Sequence, residues 1–119
     1  MSPRNKTPER GDIYKVRLNP TEGRETQGEA RPVFVITPAA FNEHNPPLCA
    51  VITQGGNFAR LEGFAVTLTG AGTKTQGAII VSQLRTLDLA ARGAEYIEST
   101  PEAIVLDAIY RIQSMIDIE

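Results

Sequence analysis

At 119 residues and 12.9 kDa the chain suits one domain and is too short for two ordinary cores. Its 41% apolar and 22% charged residues, with ten glycines and eight prolines, exclude a disordered, collagenous or fibrous chain. A single cysteine, Cys49, and a single histidine, His44, exclude an internal disulfide, a structural zinc module and a Cys-His or Ser-His-Asp hydrolase, unless a partner chain supplies the missing groups; the net charge is only −2.

Residues 1–10 are polar, have no apolar signal region, and read as a flexible leader; residues 11–119 read as one domain. No apolar run approaches the ~20 residues that span a bilayer, so a cytoplasmic protein is expected. Residues 12–18 alternate Tyr14, Val16 and Leu18 with Lys15 and Arg17, the period of a half-buried strand. Residues 19–30 form a long polar connection broken by Pro20, Gly23 and Gly28. A β-branched run follows at 32–36, then a helical turn after Pro38, and a buried strand at 48–52. Beyond the Gly55-Gly56 turn, residues 64–68 alternate as a strand closed by Gly70 and Gly72. Residues 78–81 and 84–86 read as two short strands and 95–97 as a weaker one.

Ser99 and Glu102 have capping-box spacing, and Val105, Ala108, Ile109, Ile112, Met115 and Ile116 recur at helical spacing, which predicts an amphipathic helix over 101–116. The expected class is α+β, mainly β: a strongly bent antiparallel sheet or partly open barrel with a C-terminal helix laid over it. Charge is uneven along this chain. Residues 1–94 carry 11 Lys/Arg and 8 Asp/Glu, while residues 95–119 carry one Arg and six acids, so a basic face can coexist with a solvated acidic helix.

Three polar clusters could carry chemistry. In the first, Arg24, Glu25 and Gln27 surround glycines and lead to Arg31 at a strand start. A guanidinium so placed can clamp a phosphate and stabilise a pentacoordinate transition state, or it can pair with Glu25 or Glu29 and pin the loop. The second, Thr53-Gln54-Gly55-Gly56-Asn57-Phe58-Ala59-Arg60, offers the hydroxyl, amide, aromatic and guanidinium groups that bind single-stranded nucleic acid; it also reads as a glycine turn with Phe58 in the core. Gln76, Ser82, Gln83 and Arg85 form the third. Acidic residues do not pair at metal-ligand spacing, so a nuclease would be metal-free and without cofactor. RNA allows this because its own 2′-OH can attack the adjacent phosphate. His44 sits in a proline-bounded loop and reads as exposed and idle, and Cys49 as packing in a buried strand.

Taken in order, Gly11-Asp12-Ile13-Tyr14, Asn19-Pro20-Thr21-Glu22-Gly23, Glu25-Thr26-Gln27-Gly28, Arg31-Pro32, Thr37-Pro38-Ala39-Ala40-Phe41-Asn42, Thr53 to Arg60, Gly63 to Leu68, Gln83 to Asp88, and Ala91-Arg92-Gly93 resemble the MazF/PemK/Kid family of toxin–antitoxin endoribonucleases, especially its ChpB-like and PemK-type members. The resemblance runs from Gly11 to about Ile116. It implies a small SH3-like barrel of the CcdB/MazF toxin fold and a homodimer with an RNA groove across the subunit interface. It further implies metal-independent, sequence-specific cleavage of single-stranded mRNA to 2′,3′-cyclic phosphate and 5′-OH ends, which inhibits translation, and a cognate MazE/PemI-like antitoxin. Carried over by position, Arg31 matches the catalytic arginine, Thr53 the phosphate-side threonine and Glu25 the loop glutamate that acts as base in some members.

Gln54, Phe64 and Gln76 match substrate-contact positions of the PemK/Kid branch, and Arg24, Gln27, Asn57, Arg60, Ser82, Gln83 and Arg85 complete the expected RNA-binding set. The Kid-type branch has a histidine before the loop glutamate and an arginine and aspartate on the later strand; here those positions are Arg24, Ile80 and Ser82. Arg31 and Thr53 are thus the expected retained core. Two alternatives share the fold: a catalytically weak protein that binds RNA or antitoxin, and a CcdB-like gyrase inhibitor, against which the polar Arg31 and Thr53 clusters argue.

Overall fold

A computed structural model describes residues 7–18, 30–55 and 63–118. Six strands, β1 (Asp12–Arg17), β2 (Ala30–Val35), β3 (Leu48–Thr53), β4 (Ala65–Thr67), β5 (Ala78–Thr86) and β6 (Glu95–Ser99), form one antiparallel sheet in the order β4-β5-β3-β2-β1-β6. A short helix α1 (Ala39–Asn42) precedes β3, and α2 (Glu102–Ile116) follows β6. The mainly β, α+β architecture read from the alternating strands and terminal helix is the one observed.

Alternation along the strands sorts their side chains onto two faces. Ile13, Phe34, Ala50, Ile52, Val66, Ile79 and Val81 make the main core, against which α2 lays Ile104, Val105, Ala108, Ile109 and Ile112. The opposite face holds a second cluster of Tyr14, Val16, Val33, Val35, Cys49, Leu87 and Leu89. Phe34 is fully buried in the first of these, and a large apolar side chain so placed contributes roughly 1.5–3 kcal/mol.

Three local readings are corrected. Residues 78–81 and 84–86 belong to one strand: β5 pairs with β3 on both sides of a bulge, Ala50 facing Leu84 while Val51 faces Ile80. The polar Ser82 and Gln83, which break the apolar pattern, lie in that bulge and leave the ladder intact on either side. The capping box does not form. Pro101 is the N-cap of α2 without a side-chain cap, and the Ser99 hydroxyl instead donates to Asp12 Oδ1 at 2.9 Å, where a buried carboxylate needs donors. Residues 8–10 meet the body of the protein: the Pro8 carbonyl accepts from Asn42 Nδ2 at 2.9 Å, and Arg10 Nε donates to the Ile36 carbonyl at 2.7 Å. Among the described residues, no helix is long and apolar enough to cross a membrane.

Candidate RNA-cleavage site

The β2–β3 ladder ends with Val33 opposite Val51, and the same register continued two residues further brings Arg31 level with Thr53. Both side chains then share one face of the sheet, since side chains on paired strands keep a common period of two. Arg31 is exposed at the second residue of β2, and among the described residues nothing hydrogen-bonds its guanidinium. The two polar connections read from the sequence join the sheet at this same end, one entering β2 and the other leaving β3.

Gln54 extends the site. Its Nε2 donates to the Gln76 backbone carbonyl at 3.2 Å, which ties the end of β3 to the residue two before β5, while Gln76 Nε2 donates to the Thr73 carbonyl at 3.2 Å. Gly77 makes this closeness possible. Its φ is +115°, and a Cβ there would stand 2.2 Å from the Thr53 carbonyl oxygen. No motif in the sequence singles out this glycine; its position one residue before β5 is the only signal.

The remaining sequence candidates divide. Phe64 is half-buried against the main core, so packing fixes its ring. Ser82 and Gln83 are exposed on the bulge, and Arg85 Nη2 reaches the Leu18 carbonyl at 3.5 Å. Arg92, part of the Ala91-Arg92-Gly93 motif, donates from Nη1 to the carbonyls of Arg17 at 2.8 Å and Leu18 at 3.0 Å. Ile80 is 2% exposed between Val51 on β3 and Ala65 on β4. The readings for Arg24, Glu25, Gln27, Asn57 and Arg60, the pairing of Arg31 with Glu25 or Glu29, and the place of Phe58 lie outside the described residues.

The other reactive side chains are accounted for. Burial pushes the Cys49 thiol up to about 12, so it packs and does not attack. His44 is 80% exposed, with Nε2 3.9 Å from Glu43 Oε1, and stands in the connection from the end of β2 to the start of β3, whereas Arg31 and Thr53 lie at the start of β2 and the end of β3. Across the sheet, burial alone would raise the Glu98 carboxyl. The Thr75 hydroxyl, the N–H groups of Lys74 and Thr75, and the Lys74 charge together hold it below the usual carboxylate range.

Residues 9–116 match the family described as the PemK-like, MazF-like toxin of type II toxin–antitoxin systems. The chain is 46% identical over 109 residues to the endoribonuclease PemK of Escherichia coli, covering 91% of this chain and 81% of the relative. It is 42% identical over 109 residues to the endoribonuclease toxin ChpB of Escherichia coli strain K12, covering 92% and 94%. The MazE–MazF crystal structure (Form-II) from Deinococcus radiodurans shares the fold with a TM-score of 0.81 at 24% identity, over 97% of this chain and all of that one.

Proposed function

Because the chain belongs to the PemK-like, MazF-like toxin family of type II toxin–antitoxin systems, we infer that it is an endoribonuclease toxin that cuts single-stranded mRNA without a metal ion. The observation that carries this reading is the register that sets Arg31 level with Thr53 on one face of the sheet. In the reaction, the substrate's own 2′-oxygen attacks the adjacent phosphorus as its proton leaves to a base. The P–O5′ bond then breaks and the 5′-oxygen takes up a proton, leaving a 2′,3′-cyclic phosphate and a 5′-OH. Arg31 supplies two donors to the phosphorane oxygens and Thr53 a hydroxyl donor, so charge stabilisation is the main contribution of these two residues. Glu25 is the candidate base, and Gln54 and Gln76 are candidates to read base edges. Arginine stays protonated at neutral pH, so Arg31 binds charge rather than shuttling protons.

A cytoplasmic location, a homodimer and a MazE/PemI-like antitoxin complete the proposal. The substrate supports the first, the modest core of a short chain the second, and the MazE–MazF structural relatives the third.

One observation favours the catalytically weak alternative. Where the Kid-type branch has an arginine, Ile80 is packed and can carry no proton. A single experiment separates the two readings. Purified protein is incubated with a long single-stranded RNA in EDTA, cuts are mapped by primer extension, and their end groups are identified. Discrete cuts with cyclic phosphate ends are expected, and Arg31→Ala should lower the rate by roughly 10²–10³-fold while the circular dichroism spectrum is unchanged. RNA left intact but bound in a gel shift would establish the binding-only reading, and full activity in Arg31→Ala would remove Arg31 from the site.

A further inference from the structure

The sheet has two edges, β4 and β6, at opposite ends of the strand order. Glu98 lies on β6 opposite Ile13, a residue of the main core, yet its carboxylate is bonded to the connection between β4 and β5. Oε1 accepts from the Lys74 N–H at 3.0 Å, and Oε2 accepts from the Thr75 N–H at 2.8 Å and the Thr75 hydroxyl at 2.7 Å. Among the described residues, this carboxylate ties the edge strand β6 to the β4–β5 connection, which no strand pairing joins to it. Charge-assisted bonds of this kind are about twice as strong as neutral ones.

What the carboxylate grips leads directly to the site. The Thr73 hydroxyl donates to the Thr75 carbonyl at 2.7 Å, which tightens the same turn. Gln76 follows, its carbonyl accepting from Gln54, and then Gly77, whose α-carbon abuts the Thr53 carbonyl. Only Thr75 and Gln76 thus separate the gripped Lys74 from the glycine against which Thr53 rests.

We propose that Glu98 is a positioning residue: by holding the 73–76 turn across the open seam of the sheet, it sets the placement of Thr53 and Gln54 for RNA. The proposal rests on the nuclease reading above for its consequence, but not for its geometry. Glu98 touches no reacting atom in this scheme. Its effect passes through the turn, and a displacement of about 1 Å in a positioned group can lower a rate by roughly 10²-fold.

The test uses the full chain with Glu98→Gln and, from the other side of the grip, Thr75→Val. Each variant is assayed on an RNA oligonucleotide containing a mapped cut site, alone and combined with Gln54→Ala. Glu98→Gln should raise KM and lower kcat/KM at least tenfold, and the loss should largely disappear in the Gln54→Ala background, because both changes act on one placement. A role confined to stability would lower kcat through the folded fraction, leave KM unchanged and multiply with Gln54→Ala; that result would overturn the proposal. A second arm needs no RNA. In 15N-labelled protein, the Thr53 and Gly77 backbone amides and the Gln54 side-chain amide should shift in both variants, and unmoved resonances would overturn the proposal. If the unsubstituted protein leaves RNA intact, the nuclease reading falls, and the resonances alone decide whether Glu98 sets this placement. Thr75→Val, which removes one donor and keeps the charge of Glu98, carries both arms should Glu98→Gln fail to fold.

Discussion

Gly77→Ala isolates the contact on which the site's geometry depends. The methyl group would stand 2.2 Å from the Thr53 carbonyl oxygen, 3.1 Å from its carbonyl carbon and 3.2 Å from the Gln54 α-carbon, all of them backbone atoms in or beside β3 that cannot rotate away. At φ +115° an L-residue is strained by roughly 1–2 kcal/mol, and separating the strands enough to admit a methyl adds an overpacking cost of roughly 1–3 kcal/mol. A destabilisation of about 2–5 kcal/mol is therefore expected, which lowers Tm by roughly 4 °C or more per kcal/mol for a chain of this size. Gly70→Ala is the control: its φ of +76° is also positive, but nothing lies within 4 Å of the added Cβ, so it carries only the conformational cost. Thermal and urea unfolding of both variants, followed by circular dichroism, measures the difference. RNA cleavage by Gly77→Ala well below its Tm should fall by more than the folded fraction explains, because Thr53 and Gln54 are displaced. Equal Tm losses in the two variants would refute the reasoning, since the approach to Thr53 would then cost nothing.

The N-terminal residues should be released by one substitution: Asn42 accepts from the Thr37 hydroxyl and donates to the carbonyls of Pro8 and Thr37, so Asn42→Ala is expected to destabilise by about 1–3 kcal/mol in urea titrations and to speed proteolysis near residue 8. A pH series should expose the Glu98 carboxylate. Its folded value lies below the ordinary 4.5, so its stabilisation is complete above that value and is lost as pH falls through the folded one. The urea midpoint of the unsubstituted protein should thus exceed that of Glu98→Gln at pH 7, and the gap should shrink on acidification below 4.5. A gap that widened in acid would contradict the hydrogen-bonded carboxylate.

Alternation made β1 and β4 legible in the sequence, apolar β-branched runs made β2 and β3 legible because both their faces are buried, and the period of α2 exposed its core-facing stripe. What local pattern misjudged was decided by distant partners. Ser99 has capping spacing, but the buried Asp12, 87 residues earlier, takes its hydroxyl. Ser82 and Gln83 look like a strand break, but pairing with β3 on both sides carries β5 through. Arg31 and Thr53 were each recognisable from their flanking motifs, whereas their common level depends on the register of β2 against β3. Gly77 and Glu98 were invisible because their roles are contacts made 23 or more residues away.

These long-range contacts also bear on how such a site works without the Kid-type arginine. Ile80 pairs with Val51 and Ala65 on the face that carries Thr53, so an ionised side chain at that place would have to leave water among apolar neighbours. An apolar residue there packs among apolar neighbours, and in the proposed scheme it leaves charge stabilisation to groups such as Arg31 at the exposed start of β2. In the proposed scheme, the rate would then depend on how closely the phosphate-side groups are held. The connection from Glu98 through the 73–76 turn and Gly77 to Thr53 is the proposed source of that hold. Ile80→Arg would therefore be expected to disrupt packing before it restored chemistry, because the burial that makes the position apolar is set by three strands and not by the residue itself.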